Sequence, residues 1–183
     1  GIDFRYYKGL HKNVITDLFG GQYYVDSYNR KSVLAENSVN GGVTSWVNQK
    51  LGVGDVIRRD YDGFVMYEGG FAQLEYNKDK VSAFVSGGLT NTSYWRKDRF
   101  YYSGDKQLSS KKHYLGGNVK AGLNYNLDDY NNVFFNTGFI SRAPIFDNTF
   151  INSQSSHERN PDAKNEKVYS FELGYGYRSQ YFS

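Results

Sequence analysis

The 183-residue sequence contains no cysteine, only two prolines and no long apolar run. The lack of cysteine excludes a disulfide framework and thiolate metal sites, and it leaves the cell compartment open. A transmembrane helix needs about 20 consecutive apolar residues, and no segment approaches this. Motifs for phosphate binding, zinc proteolysis and a hydrolase nucleophile are also missing, and the three histidines are isolated. We therefore expect no enzyme, no metal and no cofactor.

Charge and aromatic content narrow the class further. The chain has 22 Lys and Arg against 19 Asp and Glu, spread along its length, so the charge pattern does not indicate nucleic acid as a partner. It is rich in Tyr (18), Phe (13) and Gly (20), a mixture that favours β-strands with flexible connections over helix bundles. The fold class we expect is all-β.

Apolar and polar residues alternate in one segment after another, which is typical of strands with one apolar face. Residues 116–126 alternate without a break, and similar patterns cover 72–76, 81–89, 133–139 and 169–177. Charges are missing from these apolar faces, where Lys or Arg would cost about 2 to 4 kcal/mol at the centre of a bilayer. The residues that we expect to face lipid are Leu74, Tyr76, Val81, Ala83, Val85, Val119, Ala121, Leu123, Tyr125, Val133, Phe135, Phe171, Leu173, Tyr175 and Tyr177.

Short and long connections alternate strictly along the chain. The short ones are 77–80, 127–131 and 178–180, and the long ones are 8–62, 96–115 and 143–167. This pattern predicts an antiparallel up-and-down sheet with short periplasmic turns and long extracellular loops, the layout of an outer-membrane β-barrel. Several strands exceed the roughly 9 to 11 residues that cross a bilayer. Within 8–62, the apolar spacing of 14–19 predicts a short helix.

Tyrosines close three of the apolar faces just before a short turn. Tyr76, Tyr125 and Tyr177 occupy these positions, where an interfacial belt would place the ring in lipid and the hydroxyl in water. Ordinary cross-strand packing of aromatic residues is the alternative.

The stretch SYWRKDRFYY, 93–102, interleaves cations with aromatic rings. Such a pattern could bind an anionic or sugar-bearing ligand by arginine pairing and ring stacking. The alternative, which we favour, is an outer interfacial belt with its cations at anionic lipid head groups. Arg142, where a strand leaves for a long loop, would hold that loop or contact ligand. The candidate ligand-binding residues are Tyr94, Trp95, Arg96, Arg99, Tyr101, Tyr102 and Arg142.

Two segments, FFNTGFISRAPIFDNTF and NPDAKNEKVYSFELGYGYRS, resemble the barrel of TonB-dependent outer-membrane receptors. The matching positions are Arg142, Pro144, Asn160, Pro161, Lys164, Glu166, Glu172, Leu173 and Gly174. The resemblance covers most of 63–183 and, more weakly, the start of the chain. It implies a 22-stranded barrel closed by an N-terminal plug, which imports a scarce nutrient with energy from the TonB complex. A surface lipoprotein is a further partner of this kind of receptor.

On this basis we expect residues 1–183 to be part of a β-barrel domain, with about seven strands and with three hairpins in 63–183. The plug domain and the closing C-terminal strands would lie elsewhere in a longer protein. The cargo would be an iron chelate, cobalamin, a peptide or a glycan. A passive porin or adhesin barrel is the alternative, and a soluble carbohydrate-binding β-sandwich is a second one.

Overall fold

A computed structural model describes residues 1–25, 50–102 and 104–179 of the chain. In these segments six strands form one sheet: β1 Ile2–Val14, β2 Val56–Lys78, β3 Val81–Asp98, β4 Lys112–Asn126, β5 Asn131–Arg142 and β6 Glu166–Tyr177. The order in the sheet is the order in the chain, and every neighbouring pair is antiparallel. The expected all-β, up-and-down architecture is confirmed. The expected seventh strand lies outside the described residues.

Helices contribute little to the described part of the chain. Two short 3-10 turns, Gly104–Gln107 and Phe146–Thr149, lie in the connections after β3 and β5. Within the described ranges, no helix has the length and apolar character needed to cross a membrane.

The alternation of short and long connections is confirmed within the described residues. Residues 79–80 join β2 to β3, and 127–130 join β4 to β5, so both short turns lie at the same end of the sheet. In the second turn, the Asp128 carboxylate accepts the N–H groups of Tyr130 at 2.8 Å and Asn131 at 2.9 Å. These bonds, with the Asn131 amide, hold the pKa of Asp128 below its ordinary value.

The boundaries predicted for the first long connection, 8–62, are wrong. β1 continues to Val14 and β2 begins at Val56, so the connection spans 15–55. Polar residues extend this strand pair: the His11 ring stacks on Tyr61 at 4.7 Å, and Lys12 pairs with Asp60 at 3.7 Å. Since these residues show no apolar alternation, the sequence pattern does not reveal the extension.

The helix predicted for 14–19 is also wrong. Val14 is the last residue of β1, and the Ile15 N–H donates to the Asp55 carbonyl at 3.0 Å. The chain then turns through Phe19 and Gly20, whose φ angles are +50° and +83°. The glycine that suggested a helix end serves a turn instead. The rest of this connection, 26–49, lies outside the described residues.

The register sorts the residues of the sheet onto two faces, because cross-strand partners share a face. One row is Leu74, Val85, Ala121, Thr137 and Phe171, and the next is Tyr76, Ala83, Leu123, Phe135 and Leu173. All fifteen residues predicted to face lipid lie on this side, which we call the apolar face. Many are largely exposed, as Leu173 (81%) and Phe171 (75%) illustrate.

The opposite side, the polar face, carries rows such as Gln73, Ser86, Lys120, Gly138 and Ser170. Three phenylalanines, Phe71, Phe84 and Phe134, nevertheless lie on it. Phe84 packs against Gly122 and Phe134 against Gly174, and a Cβ at Gly174 would lie 2.7 Å from Phe134 Cε2. The bare backbone of these glycines lets each ring lie flat across the neighbouring strand.

The strands differ greatly in length, so the loop end of the sheet is stepped. β2 has 23 residues and β3 has 18, whereas β5 and β6 have 12 each. The buried core lies at this end, where Tyr61, Tyr101 and Phe150 are almost inaccessible. It forms where the long connections fold onto the extended strands, and this places the candidate site.

Candidate ligand-binding cleft and its loop cap

Two long connections, 99–111 and 143–165, fold over the loop end of the polar face, and we call them the loop cap. Phe146 lies over Gly63, where a Cβ would come within 3.0 Å of its ring, and meets the edge of Tyr94 at 5.8 Å. Phe150, packed on Phe146, is 2% exposed. The cap is therefore bound to the sheet by aromatic packing against β2 and β3.

Arg96 fixes the cap to the sheet. Its side chain is completely buried, and Nη1 donates to the carbonyl oxygens of Ser153 at 2.5 Å and Ser156 at 2.7 Å. Nη2 donates to Asp98 at 2.5 Å, and the guanidinium lies 4.3 Å from the centre of the Tyr61 ring. One strand residue thus satisfies the backbone of a loop nearly sixty positions away in sequence.

Asp98 extends the same network into the other loop. Its second carboxylate oxygen accepts the backbone N–H groups of Phe100 at 2.7 Å and Tyr101 at 2.8 Å. Tyr101 is buried and donates its hydroxyl to the Arg58 carbonyl at 2.6 Å. The Arg96–Asp98 ion pair therefore holds both connections of the loop cap.

His157 joins the two loops directly. Its ring stacks on Tyr102 at 3.8 Å, and Nε2 lies 3.0 Å from the Lys106 carbonyl and 3.1 Å from the Gln107 carbonyl. Because carbonyls only accept, Nε2 carries the proton, and Nδ1 is buried without a hydrogen-bond partner among the described residues. Burial first, and then the charge of Arg96, lower the pKa of His157 to about 4.

Beneath the cap, the polar face forms a cleft of about 350 Å³. The residues that line it are Arg5, Tyr7, Val65, Tyr67, Thr92, Tyr94, Arg142 and Ala143. Its volume lies at the lower end of the range for small-molecule sites. Next to Thr92 in the register is Tyr114, whose buried hydroxyl has no hydrogen-bond partner among the described residues.

Two exposed arginines give the cleft its chemistry. Arg5 pairs with Asp3 at 2.6 Å, and Arg142 pairs with Glu166 at 2.7 Å. Such exposed pairs contribute at most about 1 kcal/mol, so either guanidinium can exchange its carboxylate for an anionic group of a ligand at little cost. Tyr7, which is 65% exposed, adds a ring surface and a hydroxyl. The cleft suits a small anionic ligand with hydrogen-bonding groups.

The structure distributes the seven predicted ligand-binding residues over three places. Only Tyr94 and Arg142 line the cleft, and the Tyr94 hydroxyl donates to the Pro144 carbonyl at 2.7 Å. Arg96, Tyr101 and Tyr102 are buried within the cap and hold its loops together. Trp95 and Arg99 contact residues of the apolar face instead. Sequence reasoning missed Arg5, Tyr7, Tyr67 and Thr92, which meet only through the β1–β2–β3 register.

On the apolar face, Trp95 stacks on Phe64 with ring centres 5.2 Å apart, and Tyr6 packs beside both. Arg99 binds Asp60 at 2.7 Å and Asp62 at 2.8 Å. The predicted interfacial belt is therefore wrong for Tyr94, which lies on the polar face, and for Arg96, which is completely buried. Of its residues, Trp95 and the exposed Lys97 remain on the apolar face without a bound carboxylate in the described part of the chain.

The contact between Ser93 Oγ and His113 Nδ1, at 2.8 Å, has the form of a nucleophile and its base. Ser93, however, is completely buried, so a substrate cannot reach its hydroxyl. Among the described residues, no group of His, Asp and Glu is arranged to hold a metal ion.

Replacing Arg96 with Met should loosen the loop cap, because Asp98 would remain buried without its counter-ion. Removing one partner of a buried ion pair costs about 3 to 5 kcal/mol. The expected result is much faster cleavage by chymotrypsin within 99–111 and 143–165 in the folded full-length protein. The matched control is Arg142→Met, which breaks an exposed pair and should change cleavage little. Equal cleavage rates for the two variants would contradict the role of Arg96.

Acid should loosen the cap through His157. The ordinary pKa is 6.5 and the folded pKa about 4, so the unfolded cap binds more protons between these values. Its stability is complete above about pH 6.5 and decreases as the pH falls towards 4. Hydrogen exchange of 99–111 and 143–165, corrected for intrinsic rates, should show this dependence.

Two histidine-to-glutamine variants test whether His157 causes this pH dependence. His157→Gln should flatten the pH profile of the cap, whereas His113→Gln, on the apolar face, should leave it unchanged. A profile that His157→Gln does not alter would show that another group controls the cap.

Comparison with known proteins gives no match: no protein-family model, no curated protein and no solved structure is similar to this chain. The resemblance to TonB-dependent receptors therefore depends on the sequence motifs themselves.

Proposed function

We propose that this chain forms part of the wall of an outer-membrane β-barrel that imports a scarce nutrient. The observation that carries the proposal is the in-register apolar face, which crosses all the strands from β2 to β6 while the opposite face is polar. In a barrel wall between lipid and an aqueous lumen, every strand must have one apolar face and one polar face.

Physical arguments favour lipid as the cover of the apolar face. Its rows of exposed Leu, Phe, Val and Tyr continue from β2 to β6. Soluble monomers rarely expose contiguous apolar patches larger than a few hundred Å². Every strand has at least 12 residues, which exceeds the 9 to 11 that cross a bilayer. Tyrosines lie at the turn end of this face and the Tyr6, Phe64 and Trp95 rings towards its loop end.

The contacts of the motif residues support a receptor of the TonB-dependent kind. Arg142, from the first motif segment, is the register partner of Glu166 from the second, and their side chains form an ion pair. The Asn160 amide donates to the Asn148 carbonyl at 3.0 Å. The two motif segments thus close the base of one long extracellular loop, beside the cleft.

In this proposal the polar face and the loop cap receive the ligand from outside. The cleft between Arg5 and Arg142 is the first binding site, and lumen residues such as Lys120 and Glu172 line the route inward. Coupling to the TonB complex would act through a plug domain of the whole receptor, and a surface lipoprotein could present the cargo.

A passive porin or adhesin barrel is the second candidate, because its wall would share the same two faces. What favours an importer is the cap over the cleft, since loops tied down by a buried ion pair suit retention of a ligand better than free diffusion.

Charge on the apolar face tests the location of the wall. Leu123→Arg should reduce insertion of the full-length protein into the outer membrane, because arginine at mid-depth costs about 2 to 4 kcal/mol. Asn124→Arg, one residue away on the polar face, is the matched control and should insert nearly normally. The measurement is the fraction of protein that resists urea extraction from membranes. Normal insertion of Leu123→Arg would exclude lipid as the cover.

Growth tests the import function. A strain lacking the full-length gene should fail on one iron or carbon source that supports the parent strain, and the intact gene should restore growth. Removing the TonB complex from the parent should cause the same defect. If the parent still takes up that source without TonB, the channel is passive.

A further inference from the structure

A group of five residues on the apolar face, which we call the basic aromatic cluster, consists of Tyr6, Lys8, Phe64, Trp95 and Lys111. The Lys111 ammonium lies 4.4 Å from the centre of the Trp95 ring, and that of Lys8 lies 5.9 Å from the centre of Phe64. The stacked rings pre-position both ammonium groups, because their long side chains would otherwise be flexible.

The charges around the cluster are mostly positive. Lys97, the register partner of Asp62, is exposed on the same face, and Lys12 lies beyond Lys8 on β1. Two carboxylates lie nearby and both are shared: Asp60 pairs with Arg99 and Lys12, and Asp62 pairs with Arg99 and, at 3.2 Å, with Lys8. Among the described residues, no carboxylate forms a salt bridge with Lys97 or Lys111. Five cations thus surround two carboxylates, and this excess of positive charge attracts an external anion.

Towards the short turns, the same face carries a shallow apolar hollow. Its volume is about 440 Å³, and its apolar walls are Ile2, Phe4, Leu89 and Leu115. Glycines leave room there, since Gly70 and Gly117 are the two register partners of Leu89. Phe4 is two residues from Tyr6 on β1, so the hollow begins roughly 7 Å from the cluster.

Between the cluster and the bottom of the hollow lies one polar pair. The Asn91 amide donates to the Glu68 carboxylate at 3.0 Å, and both residues line the hollow. The pair gives the Glu68 carboxylate a partner within an apolar part of this face, and its other oxygen can accept an N–H or O–H group from outside.

We propose that this strip of the apolar face binds one phosphorylated lipid, and this rests on the proposed membrane location. The phosphate head group contacts Lys8 and Lys111. Hydroxyl or amide groups in the linkage region of the lipid donate to Glu68. An acyl chain fills the hollow against Leu89 and Leu115. A free phosphate would use only the first of these contacts, which is why the structure favours a lipid.

Native mass spectrometry of the full-length protein, equilibrated with phosphorylated lipid A or with the same lipid lacking its phosphates, tests the proposal. The intact protein should prefer the phosphorylated form. A lysine at an anionic surface contributes about 1 kcal/mol, so Lys8→Gln or Lys111→Gln should each weaken binding about fivefold and the double variant about 25-fold. Lys120→Gln, on the polar face, is the matched control and should bind like the wild type.

Two further arms separate the outcomes. The double variant Lys8→Arg with Lys111→Arg keeps both charges and should restore the preference if the glutamine variant folds poorly. Inorganic phosphate should not displace the lipid, and displacement at equal concentration would overturn the lipid assignment. Normal membrane insertion with no preference for phosphate would overturn this inference alone. A wild-type protein that fails to insert would overturn the proposed function together with it.

Discussion

The buried ion pair of Arg96 and Asp98 is the interaction on which the loop end of this protein depends. Burying a guanidinium completely is costly unless its charge and its donors are paired. Here a carboxylate and loop carbonyls accept from both terminal nitrogens, and Nε is buried without a partner among the described residues. Asp98 in turn binds backbone N–H groups of the other loop. The loops above the cleft are therefore positioned by Arg96 and Asp98, which do not line it. The hydrogen bond from the Tyr94 hydroxyl to the Pro144 carbonyl depends on that positioning.

The rest of the sheet is organised by register. A slip of one residue would exchange the two faces of a strand, and the pairing of Phe84 with Gly122 and of Phe134 with Gly174 resists such a slip. Each ring needs a glycine on the adjacent strand, so these pairs specify the alignment in a part of the sheet where polar side chains alone would specify it weakly. The same alignment brings Arg142 to Glu166 and keeps the apolar rows continuous.

Sequence reasoning succeeded where one physical pattern dominates. The alternation around Val119 and Leu123 identified the strands and their apolar face, because every second residue of a strand points the same way. It failed for 8–62, since polar pairs such as Lys12 and Asp60 extend strands without apolar alternation. It also grouped Trp95 with Arg96, although neighbours in a strand lie on opposite faces. Arg5 and Tyr67, about sixty positions apart, meet only through a register that no local pattern encodes.

Because the strands differ in length, β2 and β3 extend further at the loop end of the sheet than β5 and β6 do. Ser141, near the end of β5, is level in register with Gly70 of β2 through Gly117 and Leu89, and β2 continues from there to Val56, roughly 45 Å of strand. The connection after β5 therefore begins beside a short strand and crosses the sheet to pack against the longer strands β2 and β3. This loop is held along its length: by aromatic packing of Phe146 and Phe150 in its first half, and by Arg96 at Ser153 and Ser156 further on. A ligand would therefore reach the cleft from its open side, between the exposed side chains of Arg5 and Arg142, rather than through the loop.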